Sequence, residues 1–446
     1  MLPAGVGAMR TARTASMPWW SSPAGIACGF LLPLMFLIAW AGEVRHPALT
    51  IRGVQVLDLG WLMLGGLLLA ALALGGMLGA QLQPRAGAPR PLGVGADRAA
   101  LAIGLVAVLA FSVWFRDFLL DPALLWATLS GAYKPERDSI ELTPGLTSLA
   151  NVTPVFFSLY LFRRLDPGGA GRGPALPLPR ALHVLAIVLA LLTAFRVYVW
   201  SERLALIESL VPLGLAVGRW AAARPGAAGT LLRVAGPFAA IPLVILYFGA
   251  AEYARSWASD TYQGRLDFWE FALGRFASYY YTSLNNGASL LANSAWPTWT
   301  FEFTLEWLHR APLGLGQPFS TLTGYAGRTF EQHLFTYQDP EFNSPSGLYA
   351  VVSDLGLTGA VVYMCAVGLL SGMAFRAYRE GRLAGVLLYP IFFISFMEMY
   401  RYPYLGTARA FTWTCGIVLA LLLARVLAPA PAPASASAST PEGRQP

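Results

Sequence analysis

The residues of this chain whose types and spacing could do chemistry are arginines set among aromatics. Phe195-Arg196-Val197-Tyr198-Val199-Trp200-Ser201-Glu202-Arg203 joins two apolar runs with almost no intervening loop. Arg196 and Arg203 must then sit at or below headgroup level in a bilayer, where an arginine at mid-depth costs about 2.5–3.5 kcal/mol on insertion scales. Snorkelling, or a partner such as Glu202, lowers that cost. Two readings stand: an aromatic belt with snorkelling arginines, or a site for an anion. A second group follows, with Arg255, Arg265 and Arg275 leading into Tyr279-Tyr280-Tyr281-Thr282-Ser283-Leu284-Asn285-Asn286-Gly287. Phe268, Phe271, Leu273 and Phe276 mix with charges at helical spacing, which predicts an amphipathic helix along the membrane surface. Trp296, Trp299 and Trp307 alternate with polar residues further on. Aromatic rings stack on sugar C–H faces while Asn, Asp and Glu bond hydroxyls, so this stretch could bind a sugar. Interfacial aromatics are the plainer alternative. Three carboxylates, Glu208, Asp354 and Glu398, fall inside apolar runs. Such groups line a cavity or pair with a cation, as Glu398 could with Arg401.

The elements that must position these residues are membrane helices. Of 446 residues 56% are hydrophobic and 12% charged, against about a quarter charged in soluble domains. Apolar runs of bilayer-spanning length predict an all-α polytopic membrane protein of about ten transmembrane helices. They fall near 24–42, 56–79, 99–120, 144–162, 181–200, 203–220, 230–251, 347–373, 384–400 and 407–428. Alternate connections hold Arg10 and Arg13, then Arg85, Arg90 and Arg98, then Arg163, Arg164, Arg172 and Arg180, then Arg219, Arg224 and Arg233, then Arg376, Arg379 and Arg382. Short basic loops stay cytoplasmic. Both termini are therefore expected in the cytoplasm of a bacterial inner-membrane protein, with one large periplasmic loop. The expected organisation is a cytoplasmic segment 1–23, a membrane domain 24–428 containing the loop 252–346, and a Pro/Ala/Ser tail 429–446 too poor in apolar residues to fold. Ala39-Trp40-Ala41 mimics a secretory cleavage site, but the spans that follow favour an uncleaved first helix.

The net charge of +7 does not predict a nucleic-acid partner, because the arginines sit at helix ends and form no basic face. Cys28, Cys365 and Cys415 lie in apolar runs and read as small core residues. The four histidines form no cluster, so no metal and no cofactor are expected. Outward arginines at bilayer depth suggest a lipid-linked anion. The planar guanidinium fork suits pyrophosphate. No nucleotide sugar is available outside the inner membrane, so glycosyl transfer there needs a donor on a lipid phosphate, with arginines stabilising the leaving group.

At three stretches the chain resembles the bacterial oligosaccharide repeat-unit polymerases, the Wzy-type O-antigen polymerases. One is Ser201-Glu202-Arg203 with Gly214, an Arg-x10-Gly spacing. Another is Arg275-Phe276-Ala277-Ser278-Tyr279-Tyr280-Tyr281 through Asn285-Asn286-Gly287. The last runs from Glu341-Phe342-Asn343-Ser344-Pro345-Ser346-Gly347 to Asp354-Leu355-Gly356-Leu357-Thr358-Gly359. The resemblance implies a GT-C-like, metal-independent glycosyltransferase that joins polyprenyl-pyrophosphate-linked repeat units, with a flippase and a chain-length regulator as partners. By this carry-over Arg203 and either Arg265 or Arg275 hold pyrophosphate, with Arg196 nearby; Arg275 is favoured because it abuts the Tyr-Tyr segment. Tyr280, Tyr281, Asn285, Asn286, Asn343 and Trp299 would contact sugar. Glu341, His333 and Asp339 are candidates for the base. The related O-antigen ligases carry a histidine near the end of their long loop, where Asn343 stands here. A ligase and a transporter of lipid-linked sugars are the rival expectations.

Overall fold

The computed structural model describes residues 17–45, 53–82, 93–133, 135, 143, 145–165, 179–200, 202–224, 226–253, 267–327 and 329–428. The sequence expectations for Arg255 and Arg265, for the side chain of Arg203, for 1–16 and for the tail 429–446 lie outside the described residues.

The described residues form an all-α, multi-pass membrane protein. Eight helices are long and apolar enough to cross a bilayer: α1 (Pro23–Glu43), α2 (Leu59–Gln81), α3 (Val94–Trp114), α7 (Arg180–Trp200), α8 (Arg203–Ala223), α9 (Ala227–Glu252), α14 (Tyr349–Arg379) and α16 (Ala408–Val426). The other helices are α4 (Arg116–Leu120), α5 (Pro122–Leu129), α6 (Thr153–Leu165), α10 (Phe268–Asn293, long but rich in polar residues), α11 (Glu306–His309), α12 (Gly316–Thr323), α13 (Thr329–Tyr337) and α15 (Leu383–Met397). The run at 144–162 is not one continuous span. A 3-10 turn, Thr147–Val152, precedes α6, whose 13 residues reach only part way across a bilayer. The run at 384–400 ends as helix at Met397, and the connection that follows is folded into the protein, with Glu398, Met399, Tyr400 and Tyr404 all buried.

Local sequence sets the helix starts. Asp58 caps α2 by accepting from the Trp61 amide at 3.0 Å, and Thr407 caps α16 through the Ala410 amide. Each supplies an acceptor for an amide with no partner inside the helix. The centre of the bundle is the α2–α14 pair. A Cβ on Gly75 or Gly79 would lie 2.0 Å from the carbonyl oxygens of Cys365 and Leu369, and one on Gly368 would lie 2.1 Å from that of Leu72. Only glycine lets the two backbones meet this closely.

The first half of α10, read as amphipathic, is two-sided, with Phe271, Ala272 and Arg275 buried and Trp269 and Leu273 exposed, and the helix then runs on into the protein. The second half of α10, from Tyr281 to Leu291, is buried on every side. Its polar side chains are used internally. Asn285 accepts from the Val56 and Leu57 amides at 2.8 and 2.9 Å and donates to Val54 O at 2.9 Å, which ties α10 to the segment leading into α2. Asn286 donates to Phe342 O at 2.6 Å. A helix rich in Ser, Asn and Gly can be buried when its donors find acceptors inside the protein.

The bundle has two chemically different ends. At one end Arg376 donates to Gln81 O, Arg219 to Tyr378 O and Arg379 O, and Arg98 to Leu427 O; Arg163 and Arg164 close α6 there. The segments 267–346 and 398–407 gather at the other end.

Candidate functional site

The α15–α16 connection and the extramembrane segment enclose a cavity of about 340 Å³. Arg401, Tyr402, Pro403 and Arg409 form one wall. Glu302, Phe303, Glu306 and Arg310 come from the stretch around α11, with Tyr325 from just past the end of α12, Phe330 and Glu331 from the start of α13, Asn343 to Pro345 from the approach to α14, and Leu204 from α8. Distant parts of the chain therefore converge on one site.

The cationic wall is held by ion pairs. Glu398 closes α15, and its Oε2 accepts from Arg401 Nη1 at 3.0 Å. The Arg401 backbone carbonyl accepts from the Ser346 amide at 2.9 Å, which binds this wall to the approach to α14. Arg401 Nε is buried and has no hydrogen-bond partner among the described residues. Arg409 opens α16 and bridges two carboxylates, Glu208 at 3.1 Å and Glu202 at 3.0 Å. The Tyr404 hydroxyl donates to Glu208 at 2.7 Å. Arg196 reaches Glu202 at 2.6 Å and Asn151 at 3.1 Å, with its guanidinium 4.3 Å from the Trp114 ring centre. Charged groups out of water need this kind of pairing, and the Arg196–Glu202 partnership considered from sequence is present.

The rest of the lining is richer in carboxylates, with Arg310 paired to Glu306 at 3.2 Å. Glu302 is buried and accepts from the Thr329 hydroxyl at 2.6 Å. Burial pushes the Tyr325 phenol up to about 12, helped by the charges of Glu302, Glu306 and Glu331. Asp354 fixes this part of the lining from beneath. Its Oδ2 accepts from the Phe303 amide (3.0 Å), the Thr304 amide (2.7 Å) and the Thr304 hydroxyl (2.8 Å). It can do so because Gly356, at φ 71°, breaks α14 two residues later, a conformation that costs glycine nothing. The Thr298 and Trp299 amides also donate to Ser353 O at 2.9 Å and Asp354 O at 3.0 Å, so a second strip of the same segment is moored to this helix start.

Of the residues singled out from sequence, Asn343 lines the cavity. Arg275 is buried in a separate cluster, bonded to Glu341 and stacked within 4.7 Å of the Phe342 ring. Arg196 lies in the helix bundle behind Arg409. Tyr281 donates to Glu43 at 3.3 Å, Asn285 and Asn286 make the latches described above, and Tyr280 packs edge-on to Phe276. Trp299 is exposed, at φ 54°. Asp339 accepts from the Glu341 amide at 2.9 Å. His333 is buried with its Nε2 3.1 Å from Ser289 Oγ, and burial pushes its imidazole below the ordinary 6.5. Sequence reading passed over Arg409, Arg310, Glu302, Glu306, Glu331 and Tyr325, and took Arg401 only as a partner for Glu398. The available signal was Glu398-Met399-Tyr400-Arg401-Tyr402-Pro403-Tyr404, a polar and aromatic interruption between two apolar runs. Among the described residues no three His, Cys, Asp or Glu side chains are grouped to hold a metal ion. Compared with family models, curated proteins and solved structures, the chain matches none.

Proposed function

We propose that this chain is a membrane glycosyltransferase that polymerises polyprenyl-pyrophosphate-linked oligosaccharide repeat units at the periplasmic face of the bacterial inner membrane. The observation that carries the reading is the cavity wall on which Arg401 and Arg409 face Glu302, Glu306 and Glu331. The acceptor hydroxyl gives its proton to a carboxylate of the cavity lining while its oxygen bonds the anomeric carbon of the donor. The bond from that carbon to the pyrophosphate oxygen breaks, and the negative charge on the departing lipid pyrophosphate is met by guanidinium groups already in place. A donor carried by a lipid reaches such a site from the bilayer without a nucleotide sugar. The basic end of the bundle faces the cytoplasm on this reading, in keeping with the retention of arginine-rich loops there.

His333 packs against Ser289 away from the cavity, which favours polymerase over a histidine-dependent ligase. The deciding experiment is deletion of the gene followed by analysis of lipid-linked species. A single repeat unit accumulating on its carrier is the expected result. Accumulation of finished polymer on the carrier identifies a ligase instead, and unchanged lipid-linked pools refute the enzymatic reading.

A further inference from the structure

Between Arg310 and Arg328 the chain carries no charged side chain, although this stretch lies outside the spans. Its leucines point outward. Leu313 is 96% exposed, Leu322 84% and Leu315 69%. Leu313 is held at φ 59° and Gly314 at φ 76°, so a left-handed turn, which leucine seldom adopts, presents that side chain to the surroundings. The helix α12 that follows is two-sided. Ser320 points inward to His309 Nδ1 at 2.9 Å, and His309 Nε2 lies 2.8 Å from Thr300 O. Leu315, Pro318 and Leu322 lie on the opposite face at helical spacing. The stretch is anchored beside a lipid-facing surface. Trp307 stacks on Phe411 at 4.3 Å between ring centres and 7° between planes. Phe411 is in the first turn of α16, whose Val418, Leu419 and Leu422 are exposed further along the same apolar helix.

We propose that 311–324 is a lipid-inserted hairpin whose leucines enter the boundary between headgroups and acyl chains. Uncharged sequence, outward leucines and a stalk fixed to a membrane helix are what an interfacial anchor requires. Its occupant is the bilayer leaflet, since Trp307, four residues before the hairpin, stacks on the start of α16, whose apolar side chains are exposed further along. Arg310 and Tyr325 bound the hairpin and also line the cavity. Resting on the function proposed above, the hairpin is a sill over which a lipid-borne pyrophosphate passes from leaflet to cavity.

The test uses the full chain reconstituted in vesicles of phosphatidylethanolamine and phosphatidylglycerol, and its first two readouts require no glycosyl transfer. In a background with Cys28, Cys365 and Cys415 changed to Ala, a nitroxide is placed by Leu313→Cys or Leu322→Cys. Collision with oxygen exceeding collision with a polar nickel chelate is expected. Preferential access by the nickel chelate places the leucines in water and overturns the proposal. Protection from both reagents indicates a covering protein, a second copy or another chain, and overturns it too. The unmodified chain, photolysed in vesicles containing a diazirine phospholipid, is expected to carry adducts within 311–327 as well as on the spans. Adducts on the spans alone overturn the proposal without any mutation. If the hairpin inserts and Leu313→Glu with Leu322→Glu leaves transfer from a lipid-linked donor unchanged, the sill role fails while the anchor stands.

Discussion

Arg401 tests the chemistry at the scale of one residue. Arg401→Ala is expected to lower chain elongation on the order of 10²–10³-fold, the cost of removing one preorganised donor to a developing anion, read as loss of ladder on a polysaccharide gel. It also leaves Glu398 buried without its partner, a defect of about 3–5 kcal/mol. The double variant Arg401→Met with Glu398→Leu separates the two effects, since accumulation in the membrane should return while elongation does not. Asp354 is a positioning residue. Asp354→Asn weakens bonds to a charged acceptor worth about 1.5–3 kcal/mol each, and faster hydrogen exchange at the Phe303 and Thr304 amides is the expected signature. His333 gives a pH dependence. Its folded imidazole titrates below 6.5, so the unfolded chain binds more protons as pH falls through 6.5, and stability declines in that direction. Melting at pH 7.5 and 5.5 should show a smaller difference in His333→Leu than in the parent chain.

At the scale of elements, the α2–α14 contact sets the tolerance of the bundle. Gly368→Val places side-chain atoms where Leu72 O already sits at 2.1 Å from an ideal Cβ, so the helices must separate. A loss of about 1–3 kcal/mol or more is expected for such overpacking, measured as a lower melting temperature in detergent. The long spans were legible because an apolar run of bilayer length has one reading. The run at 144–162 was not, because its first half mixes Thr147, Ser148, Asn151, Thr153 and Pro154 with apolar residues, so α6 starts late and leaves a 3-10 turn in front of it. Nor was the burial of α10. Its Ser, Asn and Gly residues look solvated by composition, and their acceptors at Val54 and Phe342 are distant in sequence.

For the whole molecule, the two ends predict an orientation. With native cysteines removed, Thr336→Cys should react with an impermeant thiol reagent in intact cells after outer-membrane permeabilisation, and Ala223→Cys only after lysis. The reverse pattern inverts the topology. The charge asymmetry behind this prediction was readable from arginine positions alone. The cavity was not, because its walls come from residues about a hundred positions apart, Glu302 to Arg409, and sequence shows neighbours along the chain only. Arg275 and Arg401 look alike in composition, each beside tyrosines. Folding gives Arg275 to Glu341 and leaves Arg401 on the cavity.

The mooring of residues 298–304 onto the broken start of α14 has a consequence for how this protein can be altered. Four backbone amides, those of Thr298, Trp299, Phe303 and Thr304, are committed to Ser353 and Asp354, so a single inserted or deleted residue there shifts the register of every one. The tip around Gly314, where an added Cβ meets nothing within 4 Å, has slack. Added residues are tolerated at that tip where they are apolar enough to share the leaflet with Leu313, and none is tolerated a dozen residues upstream.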